Sequence, residues 1–298
     1  MLRFFFALAT IFVSASPATA IEIHTARGIV DIATQPTKVA VFDIAALDTL
    51  DRLGIKLAGI PSKLYLNQLE HLQFDAEAVG DLFEPDLEAL SALDPDLIIL
   101  GGRSSTRVEA AAQVAQTIDM TMDGDDLVNQ AKARLLEYGR LFDRETAARK
   151  IATELDDQID ATRKAAAGKG RVLIIMTNGP KITAYGPGSR FGWVHATLGL
   201  APAVGDVQSA THGEAVSFEF LHRANPDWLL IVDRAAAIGS GEQGARATLD
   251  NELVAATTAW KKGQLVFLPA ADFYIAAGGI QATERVMKTL ENAFTTAR

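Results

Sequence analysis

The stretch Glu88-Ala-Leu-Ser-Ala-Leu-Asp-Pro-Asp-Leu-Ile-Ile-Leu-Gly-Gly-Arg103 decides the fold, because it returns as Glu219-Phe-Leu-His-Arg-Ala-Asn-Pro-Asp-Trp-Leu-Leu-Ile-Val-Asp-Arg234. In both copies a Glu precedes Pro-Asp by the same spacing, an apolar run follows, and an Arg closes the unit. Glu88 and Glu219, Pro95 and Pro226, Asp96 and Asp227, and Arg103 and Arg234 all share one offset of 131 residues. A local helix–turn–strand unit of the kind many α/β proteins use does not explain the matched Glu and Arg. The preferred reading is two lobes of similar build, each presenting an Arg from the end of a strand.

On either side of these copies, short apolar runs alternate with helical patterns. Lys38–Asp43, Leu57–Ile60 and Leu97–Leu100 read as buried strands of the first lobe. Ala45–Leu53, Leu87–Leu93 and Val108–Ala115 read as its helices, and a further helix begins in Asp123–Leu141. Ile21–Pro36 reads as an opening hairpin turning at Arg27-Gly28. Ser62–Ala78 is less regular, a loop with at least one helical turn. In the second lobe Arg171–Met176, Trp228–Val232 and Leu265–Leu268 are strands, with a further candidate at Ile182–Tyr185. Trp193–Leu198, Val216–Arg223 and Ile280–Thr296 are helices. Strands alternating with helices imply mainly parallel sheets. Between the copies, residues 142–168 carry Ala148, Ile151, Leu155 and Ile159 at helical spacing, with no Gly or Pro before Gly168. This segment reads as one long helix joining an amino-terminal lobe over 21–141 to a carboxy-terminal lobe over 169–298.

Composition narrows the function classes. A chain of 298 residues exceeds one ordinary domain of about 100–200 residues. The formal net charge of −9 argues against a nucleic-acid partner. No cysteine is present, which excludes disulfides, thiolate metal sites and thiol nucleophiles. Residues 1–20 look like a cleaved export signal: Arg3, an apolar run from Phe4 to Val13, then Pro-Ala-Thr-Ala20 as a small-residue cleavage pattern. That run is too short to span a bilayer, which takes about 20 apolar residues. A soluble, exported, periplasmic chain starting near Ile21 is expected.

Arg103, Arg190 and Arg234 lie in loops after strands or before helices. Ligands of open α/β sheets bind outside the carboxyl ends of strands, so Arg103 and Arg234 converge on one cleft if the lobes face each other. Arg190 sits in the Gly-rich loop Gly186–Gly192. Three guanidinium groups in the cleft of an acidic protein call for an anionic ligand. A dinucleotide reading of Gly186-Pro-Gly188 fails on spacing. His212 precedes Gly213 in a polar loop. Tyr274 follows the last strand, ahead of Gly278-Gly279. One His and one Tyr cannot complete an Fe(III) coordination sphere unless a bound chelator supplies the other donors. His195 and His222 read as packing or surface residues. There is no nucleophile elbow, P-loop or metalloprotease helix, so no complete catalytic set is visible.

Together these residues resemble the periplasmic substrate-binding proteins of ABC importers for iron chelates, the class III fold with a rigid inter-lobe helix. The resemblance runs from about Thr25 to the carboxy terminus. Val-Phe-Asp43, Ala-Leu-Asp-Thr-Leu-Asp51, Val79–Asp86, the Pro-Asp units, His212-Gly213, Val-Asp-Arg234 and Tyr274 with its Gly-Gly carry it. The branch it looks closest to takes ferric catecholate siderophores such as enterobactin fragments and petrobactin. That resemblance implies Arg103, Arg190 and Arg234 around the catecholate oxygens, with iron coordination by His212 and Tyr274 only when the siderophore is tetradentate. It further implies Glu88 and Glu219 docking on the ABC permease, with its ATPase behind. No intrinsic cofactor, no nucleic acid, a monomeric state and no enzymatic activity are expected. Haem or cobalamin capture by the same class is the alternative, and an exported α/β hydrolase a more distant one.

Overall fold

A computed structural model describes residues 20–122, 124, 126–205, 207 and 212–296. The export signal read in residues 1–20 therefore lies, but for Ala20, outside the described residues. Among the described residues no helix is long and apolar enough to cross a membrane.

The chain opens with the expected antiparallel hairpin, β1 (Ile21–Thr25) and β2 (Gly28–Ile32), which turns at Ala26-Arg27, one residue earlier than expected, because Gly28 already pairs with Thr25. The first sheet then forms from β3 (Val39–Val41), β4 (Gly59–Ile60), β5 (Glu77–Ala78), β6 (Leu97–Leu100) and β7 (Thr117–Asp119), all parallel, in the order β5-β4-β3-β6-β7. Its connecting helices are α1 (Ile44–Arg52), α2 (Leu87–Leu93) and α3 (Val108–Ala111). The helix expected over Val108–Ala115 is thus a single turn. The irregular segment 62–78 holds a 3-10 helix, Asn67–Phe74, and β5.

Helix α4 (Leu127–Leu141) leads into α5 (Glu145–Ala166), a helix of 22 residues and about 33 Å. The long helix expected over 142–168 starts later because Phe142 closes α4 and Asp143 takes a left-handed φ of 55°. The buried face of α5 is the stripe expected from spacing, Ala148, Ile151, Leu155 and Ile159, extended by Thr162 and Ala166.

After α5 a second sheet forms. Its strands are β8 (Arg171–Asn178), β9 (Lys181–Tyr185), β10 (Ala201–Pro202), β11 (Glu214–Val216), β12 (Trp228–Asp233) and β13 (Leu265–Phe267). They run β11-β9-β8-β12-β13, with β10 also on β8. The pairs β8–β12, β12–β13 and β8–β10 are parallel, whereas β9 and β11 join antiparallel. Helices α6 (Trp193–Leu198), α7 (Phe218–Ala224), α8 (Arg234–Ile238), α9 (Ala245–Leu249), α10 (Glu252–Ala255), α11 (Thr258–Lys261), α12 (Ala270–Tyr274) and α13 (Ile280–Thr296) complete the chain.

The repeated unit is the same structure twice. Asp86 and Ser217 cap α2 and α7 at their amino ends, and Asp94 and Asn225 end them in left-handed backbone, again 131 residues apart. Asp96 then accepts from the Lys38 N–H (3.0 Å) and Asp227 from the Arg171 N–H (2.8 Å), so each Pro-Asp fixes the start of the neighbouring strand. Pro95 and Pro226 are buried.

The central strands look continuously apolar because both faces are covered. Val39, Val41, Leu97 and Ile99 face one large core, while Ala40, Phe42, Ile98 and Leu100 face a smaller one beneath α2 and α3. In the second sheet Val172, Ile174, Trp228 and Leu230 face that same large core, and Leu173, Ile175, Leu229 and Ile231 face a third cluster. The large core therefore runs through both halves, with Leu135, Leu155 and Phe294 between them. Trp228 stacks edge-on against Phe294 at 4.7 Å and donates its indole N–H to the Lys169 carbonyl at 3.0 Å.

The closing helix α13 does not stay with the second sheet. It packs along α5 and reaches α1. Its amino end is fastened there: the Ile280 N–H donates to Thr49 Oγ1, the Ala282 N–H to Asp48 Oδ2, and Gln281 Nε2 to Asp51. Gly279 allows this close approach, since a Cβ would stand 2.7 Å from Asp48 Oδ2. Arg285 bridges fully buried Asp48 (2.9 Å) and Asp272 (2.7 Å), tying α1 of the first half to α12 of the second. Breaking such a buried pair by removing one partner costs about 3–5 kcal/mol.

Burial pushes the Asp48 carboxyl up from 3.8 to about 6, against the lowering effect of the Ala282 N–H and Arg285. Below 3.8 Asp48 is protonated in both states; between 3.8 and about 6 only the folded chain keeps the proton. The favourable contribution is present at low pH and lost as pH rises through about 6. Relative to Asp48→Asn, the wild-type protein should therefore lose up to about 3 kcal/mol between roughly pH 4 and pH 7 in denaturant unfolding. A difference independent of pH would contradict this.

Candidate functional site

A cavity of about 470 Å³ opens between the two sheets. Arg103, Arg190, His212 and Tyr274 all line it, with Asp43 and Met122. Four of the five residues singled out by sequence thus meet in one place, contributed by both halves of the chain. Arg234 is not on the lining, but its charge acts on the Tyr274 phenol.

Tyr274 ends α12 and is the hub. The Arg103 guanidinium lies 5.1 Å from its ring centroid and that of Arg190 4.8 Å, both within cation–π range. Arg103 also donates to the main-chain carbonyls of Tyr274 (3.0 Å) and Ile275 (3.3 Å), and Arg190 to that of Tyr274 (3.4 Å). Arg103 therefore crosses from the first half to the second. Arg234 donates to Asn178 Oδ1 at 3.0 Å.

Each cation is held by its own surroundings. Arg103 lies in the 3-10 turn Gly102–Arg107, which Arg27 of the hairpin braces. Arg27 donates to the Ser105 carbonyl at 2.8 Å and to Asp119 at 3.0 Å, and pairs with Glu109. Arg190 stands between two buried anchors. Ser189 donates to the Gly186 carbonyl at 2.7 Å, and Phe191 stacks on Tyr185 (4.5 Å) and Phe273 (4.6 Å). Arg234 is the first residue of α8, whose amino end is capped by Asp233.

The charge balance is lopsided. Among the described residues none of the three arginines forms an ion pair with a carboxylate. Burial, and next the charge of Arg103, pulls the Arg190 guanidinium below its ordinary value. Burial raises the Tyr274 phenol, but the nearby guanidiniums of Arg234, Arg103 and Arg190 outweigh it, and the net shift is downward. Guanidinium groups thus outnumber carboxyls at the site, and the Tyr274 phenol is held below its ordinary value.

Asp43 was missed as a site residue, although it follows β3, at the carboxyl end of a parallel strand where ligand sites form. It caps α1 through the Ala45 N–H at 2.8 Å and lies against Gly101, where any Cβ would overlap its carboxylate. Burial raises its carboxyl despite the α1 amides and Arg103. His212 is exposed at the cavity edge. No cluster of three or more metal-ligating His, Asp or Glu side chains occurs among the described residues, so any iron at His212 and Tyr274 would need donors from a chelator. His195 is a packing residue as expected, buried and bonded to the Leu200 carbonyl. Glu88 and Glu219 lie away from the cavity, exposed in the first turns of α2 and α7.

Comparison with known proteins gives a consistent set. The periplasmic binding protein family model matches residues 39–271. The petrobactin-binding protein YclQ of Bacillus subtilis is 34% identical over 86% of this chain and 82% of its own length. The ferric-anguibactin-binding protein FatB of Vibrio anguillarum is 29% identical over 90% of this chain and 86% of its own. The crystal structure of the periplasmic catecholate-siderophore binding protein VctP from Vibrio cholerae superposes with a TM-score of 0.84 at 29% identity, covering 92% of this chain and all of that one.

Burial pushes Tyr138 and Tyr185 upward, whereas Tyr274 is shifted downward. An ultraviolet phenolate titration should show a step below the ordinary value of 10 that disappears in Tyr274→Phe and moves up in Arg234→Met. The same early step in both variants would show that Tyr274 is not the group the cations act on.

Proposed function

The chain belongs to the periplasmic binding protein family, and on that premise we propose that it captures an anionic ferric siderophore of catecholate type between its two halves and hands it to an ABC permease. The observation that carries this is the meeting of Arg103, Arg190 and Arg234 around Tyr274 without a carboxylate partner among the described residues. It is a substrate-binding protein of transport rather than an enzyme, with the ferric complex as ligand and no resident cofactor.

A tris-catecholate complex of Fe(III) carries three negative charges. Burying them uncompensated would be costly, and three guanidinium groups match them in number. Guanidinium planes also stack on catechol rings, each contact worth about 0.5–2 kcal/mol. Tyr274 already carries two such guanidiniums on its own ring, so a catechol ring arriving beside it meets the same surface. For a complex that leaves two positions on the iron open, the lowered Tyr274 phenol and His212 are the candidate protein donors. Petrobactin and anguibactin are named for the relatives, and a catecholate for the structural neighbour; enterobactin itself is named for none of these three. Haem or cobalamin capture finds no counterpart in them, and neither does a hydrolase.

Two lobes, over 21–141 and 169–298, joined by the helix within 142–168, fit this reading, with α13 returning to brace the junction. Export to the periplasm, cleavage near Ala20 and a monomeric state belong to the same proposal. So does docking through Glu88 and Glu219. They occupy equivalent first turns in the repeated unit and leave the cavity free.

Arg103→Ala and Arg190→Ala should each weaken binding of a ferric tris-catecholate about 10- to 100-fold in tryptophan-fluorescence titration, tenfold being 1.4 kcal/mol. Unchanged affinity in both would defeat the anionic-cleft reading. The double variant Glu88→Ala, Glu219→Ala should bind normally and fail to support uptake of labelled ferric complex in cells. Normal uptake would remove the permease role from these two side chains.

A further inference from the structure

The loop after β4 crosses to the other half of the molecule. Pro61-Ser-Lys-Leu-Tyr65 leaves the first sheet next to β3, on the side away from β6 and Arg103. Leu64 and Leu66 are both buried, which anchors the loop from below. Tyr65 between them adopts a left-handed φ of 65°, uncommon for an aromatic residue and sustained only where the surroundings fix it. The Lys63 ammonium lies 4.6 Å from the Tyr65 ring centroid and donates to the Ile238 carbonyl at 2.8 Å.

Ile238 is the last residue of α8, and Arg234 is the first. A helix of five residues has no intrinsic stability and depends on what holds its ends. Asp233 holds the amino end by accepting from the Ala236 N–H. At the other end the carbonyls lack helical partners and carry the negative end of the helix dipole, which a lysine complements. The lysine here comes from the opposite half of the molecule, 175 residues away in sequence. A second cavity, of about 320 Å³, lies beside the contact, lined by Lys63, Tyr65 and Asn67 on one side and Ala236–Gly239 on the other.

We propose that Lys63, aimed by Tyr65, is a cross-cleft latch that caps α8 and thereby positions Arg234 for the ligand. Lys63 touches neither the main cavity nor Tyr274, so it is a positioning residue. The contact is at the surface, so it can open and re-form as the halves move, unlike the buried Asp48–Arg285–Asp272 bridge. The positioning role rests on the ferric-complex reading above; the latch itself does not.

The test uses the mature full chain with Lys63→Met, which keeps the aliphatic stem and drops the charge, and Lys63→Arg, which restores a donor. Hydrogen exchange without ligand should be faster over residues 236–240 in Lys63→Met and return towards wild type in Lys63→Arg, with α5 unchanged. Unchanged exchange over 236–240 in Lys63→Met would overturn the latch, whatever the protein binds. Stopped-flow release of a ferric tris-catecholate should then be about three- to tenfold faster in Lys63→Met, with association little changed and rescue by Lys63→Arg. Faster exchange with unaltered release would leave a contact that does not position Arg234 and would overturn the proposal. If wild-type protein binds no ferric catecholate, the proposed function fails and the exchange arm still decides the latch.

Discussion

Three guanidinium groups are held around one phenol, and most of the structure serves to keep them there. Like charges in a partly enclosed space repel, so the arrangement persists only if each cation is fixed from elsewhere. Arg103 is fixed by the hairpin through Arg27, Arg190 by the stacked Phe191 and the buried Ser189, and Arg234 by its place at the capped start of α8. Tyr274 answers with a ring face and a carbonyl for two of them, and its phenol is held down by the charge of all three. What remains is an excess of positive charge that an incoming anion relieves.

Holding Tyr274 still is therefore the main demand on the fold. It ends α12, and α12 is gripped by the Asp48–Arg285–Asp272 bridge. That bridge runs to α1, whose own amino cap, Asp43, is on the cavity wall. The close approach at Gly279 and the bonds from Ile280, Gln281 and Ala282 fix α13 to the same helix. With the large core continuous from Ile23 to Phe294, the two sheets share a stiff junction along α5 rather than a loose linker. Such a junction suits a binding protein in which small relative movements of the halves, not a wide hinge, admit and release ligand.

Much of this was legible in the sequence. The shared offset in the repeated unit reported two equivalent helix–turn–strand pieces, and the reason is now physical: capping at Asp86 and Ser217, left-handed ends at Asp94 and Asn225, and an Asp that fixes the next strand. The stripe on α5 and the three arginines were visible because periodicity and residue type report burial and charge directly. Asp43 was not, since a lone Asp after a strand is usually only a helix cap, which it also is. The bridge through Arg285 was hidden because its three members are far apart in sequence. Gly278-Gly279 could be seen as a motif, but its purpose, close approach to Asp48, required three dimensions. The antiparallel placement of β9 and β11 escaped because strand direction leaves little trace in composition.

In the proposed function, charge at the Arg103–Arg190–Arg234 cluster selects the ligand. The most direct measurement is the affinity of the wild-type protein for a ferric tris-catecholate and for an uncharged or cationic ferric hydroxamate, in the same buffer at several salt concentrations. The tris-catecholate should bind more tightly by at least about 100-fold, a gap of about 2.7 kcal/mol, and its affinity should fall as salt screens the cluster. Equal affinity for the two complexes, unaffected by salt, would contradict the claim.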